Sequence, residues 1–258
     1  ELVRNRSFED GQGRHDPADL MALGYWDFHW CDLSLQVDRV DPKASTLTLN
    51  MTFEKPDHPP YFLKGERPFY LFNALYALNR PGEWFLDRRS GRLYLWPEDG
   101  ACPRDGECVL SETTAPFVSF RDVRDVRFEG LMFEGGRGTA VVGDHCERVV
   151  FDGNVLRNFG GSAATITGCR DVTFVNNLVH TFGHGGIRLT GGDRRTLTPA
   201  NVRIVNNEIW DLERWRHTYM PCVDFTGVGL EVAYNRFHDM PSSVMRLSGN
   251  DLLILSNV

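Results

Sequence analysis

Short runs rich in apolar and aromatic side chains, separated by turn residues, occupy the chain from about residue 35 to 98 and predict strands. The runs are Leu33–Val40, Thr46–Phe53, Pro68–Asn73, Glu83–Asp87 and Arg92–Trp96, with turn residues between them. Trp84–Asp87 and Arg92–Trp96, joined by Arg88-Arg89-Ser90-Gly91, predict a hairpin closed by a glycine turn. Leu71–Leu78 reads as a single helical segment ahead of the Asn79-Arg80-Pro81-Gly82 turn. These elements make a small β-rich module without internal repeat, assigned to residues 1–115 and expected to pack on, or be inserted into, the remainder of the chain.

From about residue 120 the pattern repeats. One asparagine recurs in Phe151-Asp152-Gly153-Asn154, Phe174-Val175-Asn176-Asn177, Ile204-Val205-Asn206-Asn207, Val232-Ala233-Tyr234-Asn235 and Ile254-Leu255-Ser256-Asn257, at steps of 23, 30, 28 and 22 residues. A second column, Gly143, Gly168, Gly191, Gly227 and Gly249, recurs at steps of 25, 23, 36 and 22. A unit of about 22 residues with three short strands cannot bury its apolar face alone, so successive units must stack. The fold expected for residues 116–258 is therefore all-β, a right-handed parallel β-helix. Asparagine suits its turns because it tolerates the left-handed conformation and bonds to the equivalent residue in the next coil. The longer steps mark insertions at Arg194–Ala200 and Leu212–Pro221. A leucine-rich repeat lacks the required leucine spacing here, and a β-sandwich has no reason for matched Asn and Gly columns.

Alternation ahead of the glycine column assigns faces. Val141, Ile166, Leu189, Phe225 and Leu247, with Thr139, Ala164, Ile187, Val223 and Met245, point inward. Ala140, Thr165, Arg188, Asp224 and Arg246 point outward, as do Val142, Thr167, Thr190, Thr226 and Ser248. Three successive coils thus place Arg188, Asp224 and Arg246 side by side at a strand spacing of about 4.8 Å. Two flanking guanidinium groups favour the ionised form of Asp224, which suits a nucleophile or base better than a proton donor. The same trio reads equally as a surface ion-pair ladder of little energetic value.

The neighbouring loops favour a sugar site. The insertion before Asp224 holds Trp215, His217 and Tyr219 among arginines, and His180 and His184 precede Arg188. Aromatic rings stack on sugar faces, and guanidinium groups grip hydroxyls or carboxylates. Trp210, His180 and His238 share one column and read as a side-chain stack; Asp211 and Asp239 come next in each coil as turn caps.

Composition narrows the partners. A formal net charge of −7 on 258 residues lacks the basic footprint that nucleic acid requires. No apolar run approaches the roughly 18 residues of a membrane span. Of six cysteines, Cys102 and Cys108 bracket a loop and read equally as a short disulfide or as two free thiols. No Cys-x-x-Cys pattern supports a zinc site, the acidic clusters of a calcium site are not evident, and no cofactor is implied. Glu1-Leu2-Val3-Arg4-Asn5-Arg6 is not a signal peptide.

The run from Asn73 through Asn79-Arg80-Pro81-Gly82-Glu83-Trp84 to Gly91-Arg92-Leu93-Tyr94-Leu95-Trp96-Pro97 resembles the small module that precedes the coils in bacterial right-handed parallel β-helix repeat proteins. Asn206-Asn207-Glu208-Ile209, Arg214-Trp215, Thr218-Tyr219, Gly227-Val228-Gly229, His238-Asp239 and Gly249-Asn250-Asp251 match their coils. The chain is similar to glycoside hydrolase families 141 and 120, which the resemblance ties to fucosidase, xylanase and xylosidase activities using paired carboxylates. It implies a secreted, periplasmic or cell-surface glycoside hydrolase acting on a polysaccharide or oligosaccharide. Asp224 is then the catalytic residue, and Arg188, Arg246, His217, Tyr219, Trp215 and His184 bind substrate. Relatives continue into further coils that carry acidic residues. A solenoid stopping at Asn257-Val258 would expose strand edges that solenoids cap, so a further segment or chain is expected after Val258, with the second carboxylate. Two rivals share the fold: a lyase or epimerase acting on uronate-containing glycans, and a glycan-binding solenoid without turnover.

Overall fold

In the N-terminal unit the alternation of Leu33–Asp41 builds the core directly, since Leu35 and Val37 are buried while Ser34, Gln36 and Asp38 are exposed. They pack with Leu20, Ala22, Trp26 and Ala74, and Trp26 Nε1 donates to Leu33 O at 2.7 Å. The computed structural model describes residues 19–26, 28–41, 43–50, 66–101, 104 and 109–258. The chain divides into two compact units, 1–108 and 109–258.

The first unit holds a four-stranded antiparallel sheet in the order Thr46–Leu49, Leu33–Asp41, Met21–Gly24, Phe69–Phe72. Met21–Gly24 was not among the predicted strands, because four residues with three buried in a row show no alternation. The helix predicted over Leu71–Leu78 does not form. Phe69–Phe72 continues as a strand, Asn73 turns the chain at φ 54°, and Leu75–Ala77 makes one 3₁₀ turn. Asn73 is held in that turn by donating through Nδ2 to Asp19 O at 2.7 Å. The hairpin forms as expected, with Trp84 opposite Leu95 and Asp87 opposite Arg92. Residues 51–53 of the predicted Thr46–Phe53 run, and both Cys102 and Cys108, lie outside the described residues.

The second unit is a parallel β-helix. Val118–Arg121, Val141–Asp144, Ala164–Val175, Ile187–Gly191, Val223–Ala233 and Met245–Leu255 belong to one sheet. Met132–Glu134, Val155–Phe159, Leu178–Phe182, Glu208–Trp210 and Arg236–His238 form another, and every pairing in the unit's named strands is parallel, one coil to the next. Like side chains stack inside. Phe128, Phe151 and Phe174 lie face to face at 4.8 and 4.5 Å, and Phe159 stacks on Phe182 at 5.5 Å.

The asparagine column forms a continuous ladder. Asn154 N and Nδ2 donate to Asn177 Oδ1, and the same pair of bonds recurs from Asn177 to Asn207, Asn207 to Asn235 and Asn235 to Asn257, all at 2.9–3.1 Å. Its backbone rationale differs from the expectation. The left-handed residue is the one before each ladder asparagine, namely Gly153, Asn176, Asn206, Tyr234 and Ser256, at φ between 49° and 61°. The ladder residues are there for their buried amides, which also bond main-chain carbonyls such as Phe151 O and Phe174 O.

The glycine column is correct for only three coils. Gly191, Gly227 and Gly249 pair in register. Gly143 instead pairs with Ile166, and it is a glycine because the Phe120 ring occupies the space a side chain there would need. Gly168 falls in an irregularity between Ile166 and Cys169, and Cys169 takes its place opposite Gly191. In consequence Val142, not Ala140, precedes Thr165 and Arg188 in the outward column, and Ala140 is buried.

Candidate functional site

The strands Ile187–Gly191, Val223–Ala233 and Met245–Leu255 run parallel and adjacent, so one residue from each shares every row. Leu189 and Phe225 point inward and are buried. On the other face Arg188 pairs with Asp224 and Asp224 with Arg246; two residues on, Thr190, Thr226 and Ser248 form a parallel hydroxyl row. Together these side chains line a cleft of about 400 Å³.

Both oxygens of Asp224 are engaged. Arg188 Nε donates to Oδ2 at 2.8 Å, Arg246 Nε to Oδ1 at 3.2 Å, and Arg246 Nη2 to Oδ2. Asp224 is 9% exposed, whereas the Arg188 and Arg246 side chains are 48% and 46% exposed. The carboxylate therefore sits beneath two guanidinium groups that reach solvent. Its hydrogen bond, followed by its charge and that of Tyr219, raises the Arg246 pKa against the opposing effect of burial. Asp224 is the one carboxylate among the residues that line the cleft.

The structure joins Arg188, Asp224 and Arg246 as expected, and brings Tyr219 within electrostatic reach of Arg246. Tyr219, Trp215, His217 and His184 are not among the residues lining the cleft. The 211–222 loop is stitched to the preceding coil by Glu213 N to His184 O, Arg214 N to Phe182 O and Trp215 N to Gly183 O, at 2.9–3.1 Å. This lays the Trp215 indole against Gly183, where a Cβ would stand 2.7 Å from it, and leaves the residue 69% exposed. His184 is half-buried, and its pKa is lowered by desolvation and then by the Arg216 charge. His217 is half-buried on the same loop. Glu213, which sequence reasoning passed over, is buried and closes the loop by accepting from Met220 N at 2.9 Å. A carboxylate inside an otherwise polar insertion carries no periodic signal of burial.

His180 lies on the strand Leu178–Phe182 rather than in the loop, and stacks on Trp210 at 4.2 Å; Trp210 in turn meets His238 at 5.5 Å. With their faces against one another, these rings are the side-chain stack the column predicts. Asp211 and Asp239 occupy left-handed turn positions, and Asp211 Oδ2 accepts from Thr181 Oγ1 at 2.9 Å. Among the described residues no group of three or more His, Cys, Asp or Glu is placed to hold a metal ion, and no helix is long and apolar enough to cross a membrane.

Comparison with known proteins respects the same division. Residues 32–98 match the family model described as the GH141 insertion domain. A solved structure of a protein described as a glycoside hydrolase is similar at 11% identity and a TM-score of 0.40, over 96% of this chain and 69% of that one. No curated protein matches the chain. Residues 116–258, more than half of the chain, match the model described as the right handed beta helix region. By that match, and by the parallel coils and asparagine ladder beneath it, the chain belongs to the right-handed β-helix family.

Proposed function

We propose that this is a carbohydrate-active protein of hydrolase type, with a polysaccharide or oligosaccharide lying along the strip formed by Arg188, Asp224 and Arg246. One observation carries the reading: a polar row of two guanidinium groups and a carboxylate runs beside a row of three hydroxyls, in a cleft of about 400 Å³. That is room for a ligand of small-molecule size, with hydrogen-bonding groups at fixed intervals for ring hydroxyls. The GH141 insertion domain match in the preceding unit supports the same class. In this reading Asp224 serves as nucleophile or base and the two arginines hold substrate. Tyr219, His217, Trp215 and His184 extend the contact from the adjoining loops.

Hydrolysis needs a second carboxylate at about 5–10 Å. The presence of only Asp224 among the cleft-lining residues, with both oxygens engaged, favours a second reading: glycan binding without turnover. Product analysis on a panel of polysaccharides decides between them. Hydrolysis releases new reducing ends, and Asp224→Asn is expected to lower that release by about 10²-fold or more. Undiminished release by Asp224→Asn removes Asp224 from the mechanism. Binding without products supports the second reading, and unsaturated, ultraviolet-absorbing ends would mean elimination instead.

A further inference from the structure

We infer that the ligand of this cleft is an anionic saccharide, one whose sugar carries a carboxylate or sulfate; the inference rests on the saccharide reading above. The cleft is charged against the grain of the protein. Its lining contains two guanidinium groups and one carboxylate, a local excess of one positive charge on a chain of net charge −7. Asp224 neutralises only part of that pair, and it does so from below, since it is nearly buried while both guanidinium groups reach solvent.

The hydrogen-bond inventory points the same way. A guanidinium has five N–H donors in a rigid fork. Arg188 uses only Nε on Asp224, which leaves both terminal nitrogens without a hydrogen-bond partner among the described residues. Arg246 uses Nε and Nη2 on the same carboxylate and leaves Nη1. Asp224 thus fixes the inner edges of both forks and holds the two groups on either side of it, two coils apart. Their outer edges present donors of like charge, suited to a planar or tetrahedral oxyanion held bidentately. A neutral sugar would leave that excess charge unmatched. Thr190, Thr226 and Ser248, two residues further along the strands, lie about 6–7 Å away along the strand direction. They supply neutral donors and acceptors for the hydroxyls of the same sugar or the next.

The test is an array of neutral, uronate-bearing and sulfated oligosaccharides probed with the intact chain. Binding concentrated on uronate or sulfated members is expected, and whichever of the two dominates identifies the oxyanion. For the best-bound member, calorimetry against its carboxyl-reduced or desulfated counterpart is expected to show at least about tenfold weaker binding of the neutral form. Added salt should weaken the anionic form alone. Arg188→Gln and Arg246→Gln each leave Asp224 one arginine partner, and each should remove most of that preference. Arg188→Lys, which keeps the charge but not the fork, should restore part of it. Binding of neutral members as tight as that of anionic ones overturns the inference and leaves the saccharide reading standing. Binding of no member overturns both.

Discussion

Asn207→Ala tests whether the asparagine ladder holds the coils together or merely decorates their turns. Asn207 Oδ1 accepts from Asn177 N and Asn177 Nδ2, both at 2.9 Å, and its Nδ2 donates to Phe174 O at 3.0 Å and to Asn235 Oδ1 at 2.9 Å. Alanine removes all of these. Asn177 N–H then has no acceptor, and its Nδ2 keeps only the bond to Phe151 O. Two donor hydrogens are stranded at a position with no solvent access. At about 1–3 kcal/mol for each unsatisfied buried group, the loss should be about 4 kcal/mol. Its neighbour Asn206 is the internal control: it is exposed, left-handed at φ 54°, and bonds Asn176 from the surface. Asn206→Gly should change stability by less than about 0.5 kcal/mol. Denaturant titration followed by circular dichroism measures both, and amide exchange locates the loosening in the coils around residues 174–207. Equal midpoints for the two variants would refute the structural role of the ladder.

Three further outcomes rest on particular contacts. Gly143→Ala should destabilise by about 1–3 kcal/mol, because its Cβ would stand 2.3 Å from the Phe120 ring; thermal denaturation that finds no loss would contradict that packing. Gly227→Ala should be worse, since its Cβ would meet Gly191 O at 1.8 Å at φ 151°, and a soluble, native-like variant would be evidence against the register. Burial pushes the thiols of Cys169 and Cys222 up from the ordinary 9.0 to about 12, and that of Cys146 to about 11. They should therefore resist alkylation at pH 8 until the chain unfolds. Because the folded values lie above the unfolded one, their contribution to stability is complete below pH 9 and is lost as pH rises toward 11–12. Denaturation midpoints at pH 8 and pH 10 check the sign.

The coils and the Arg–Asp–Arg strip were legible because both depend on repetition. The strip stands three positions before Gly191, Gly227 and Gly249, where a side chain would collide with the carbonyl of the neighbouring coil, so those glycines are reliable register marks. Gly143 was unreliable because it serves a ring, not a backbone. A glycine in a sequence does not declare which of the two it accommodates. The local irregularity after Ile166 that displaces Gly168 has no signature in side-chain alternation at all. Short buried strands such as Met21–Gly24 and one-turn helices such as Leu75–Ala77 fall below the length at which periodicity exists. The 211–222 loop was legible in composition but not in path. Backbone bonds from residues 213–215 fold it back on the preceding coil and the buried Glu213 carboxylate accepts from Met220 N, so that Tyr219 comes within reach of Arg246 while Trp215 lies on Gly183.

Loop path supports the proposed reading of a binding strip over that of an idle ion-pair ladder. Arg188 and Asp224 are 36 residues apart in sequence and Asp224 and Arg246 only 22, yet each pair is directly opposed. The surplus residues leave the coil at two places: 192–200, immediately after Ile187–Gly191, and 211–222, immediately before Val223–Ala233. Both insertions therefore begin or end next to the strand segments that carry the ion pair, one beyond each end. A ladder of charges for stability gains nothing from flanking loops, since loops add ordering entropy. A cleft does gain, because a rigid frame sets the positions of the charged groups while loops at its ends shape what can lie against them.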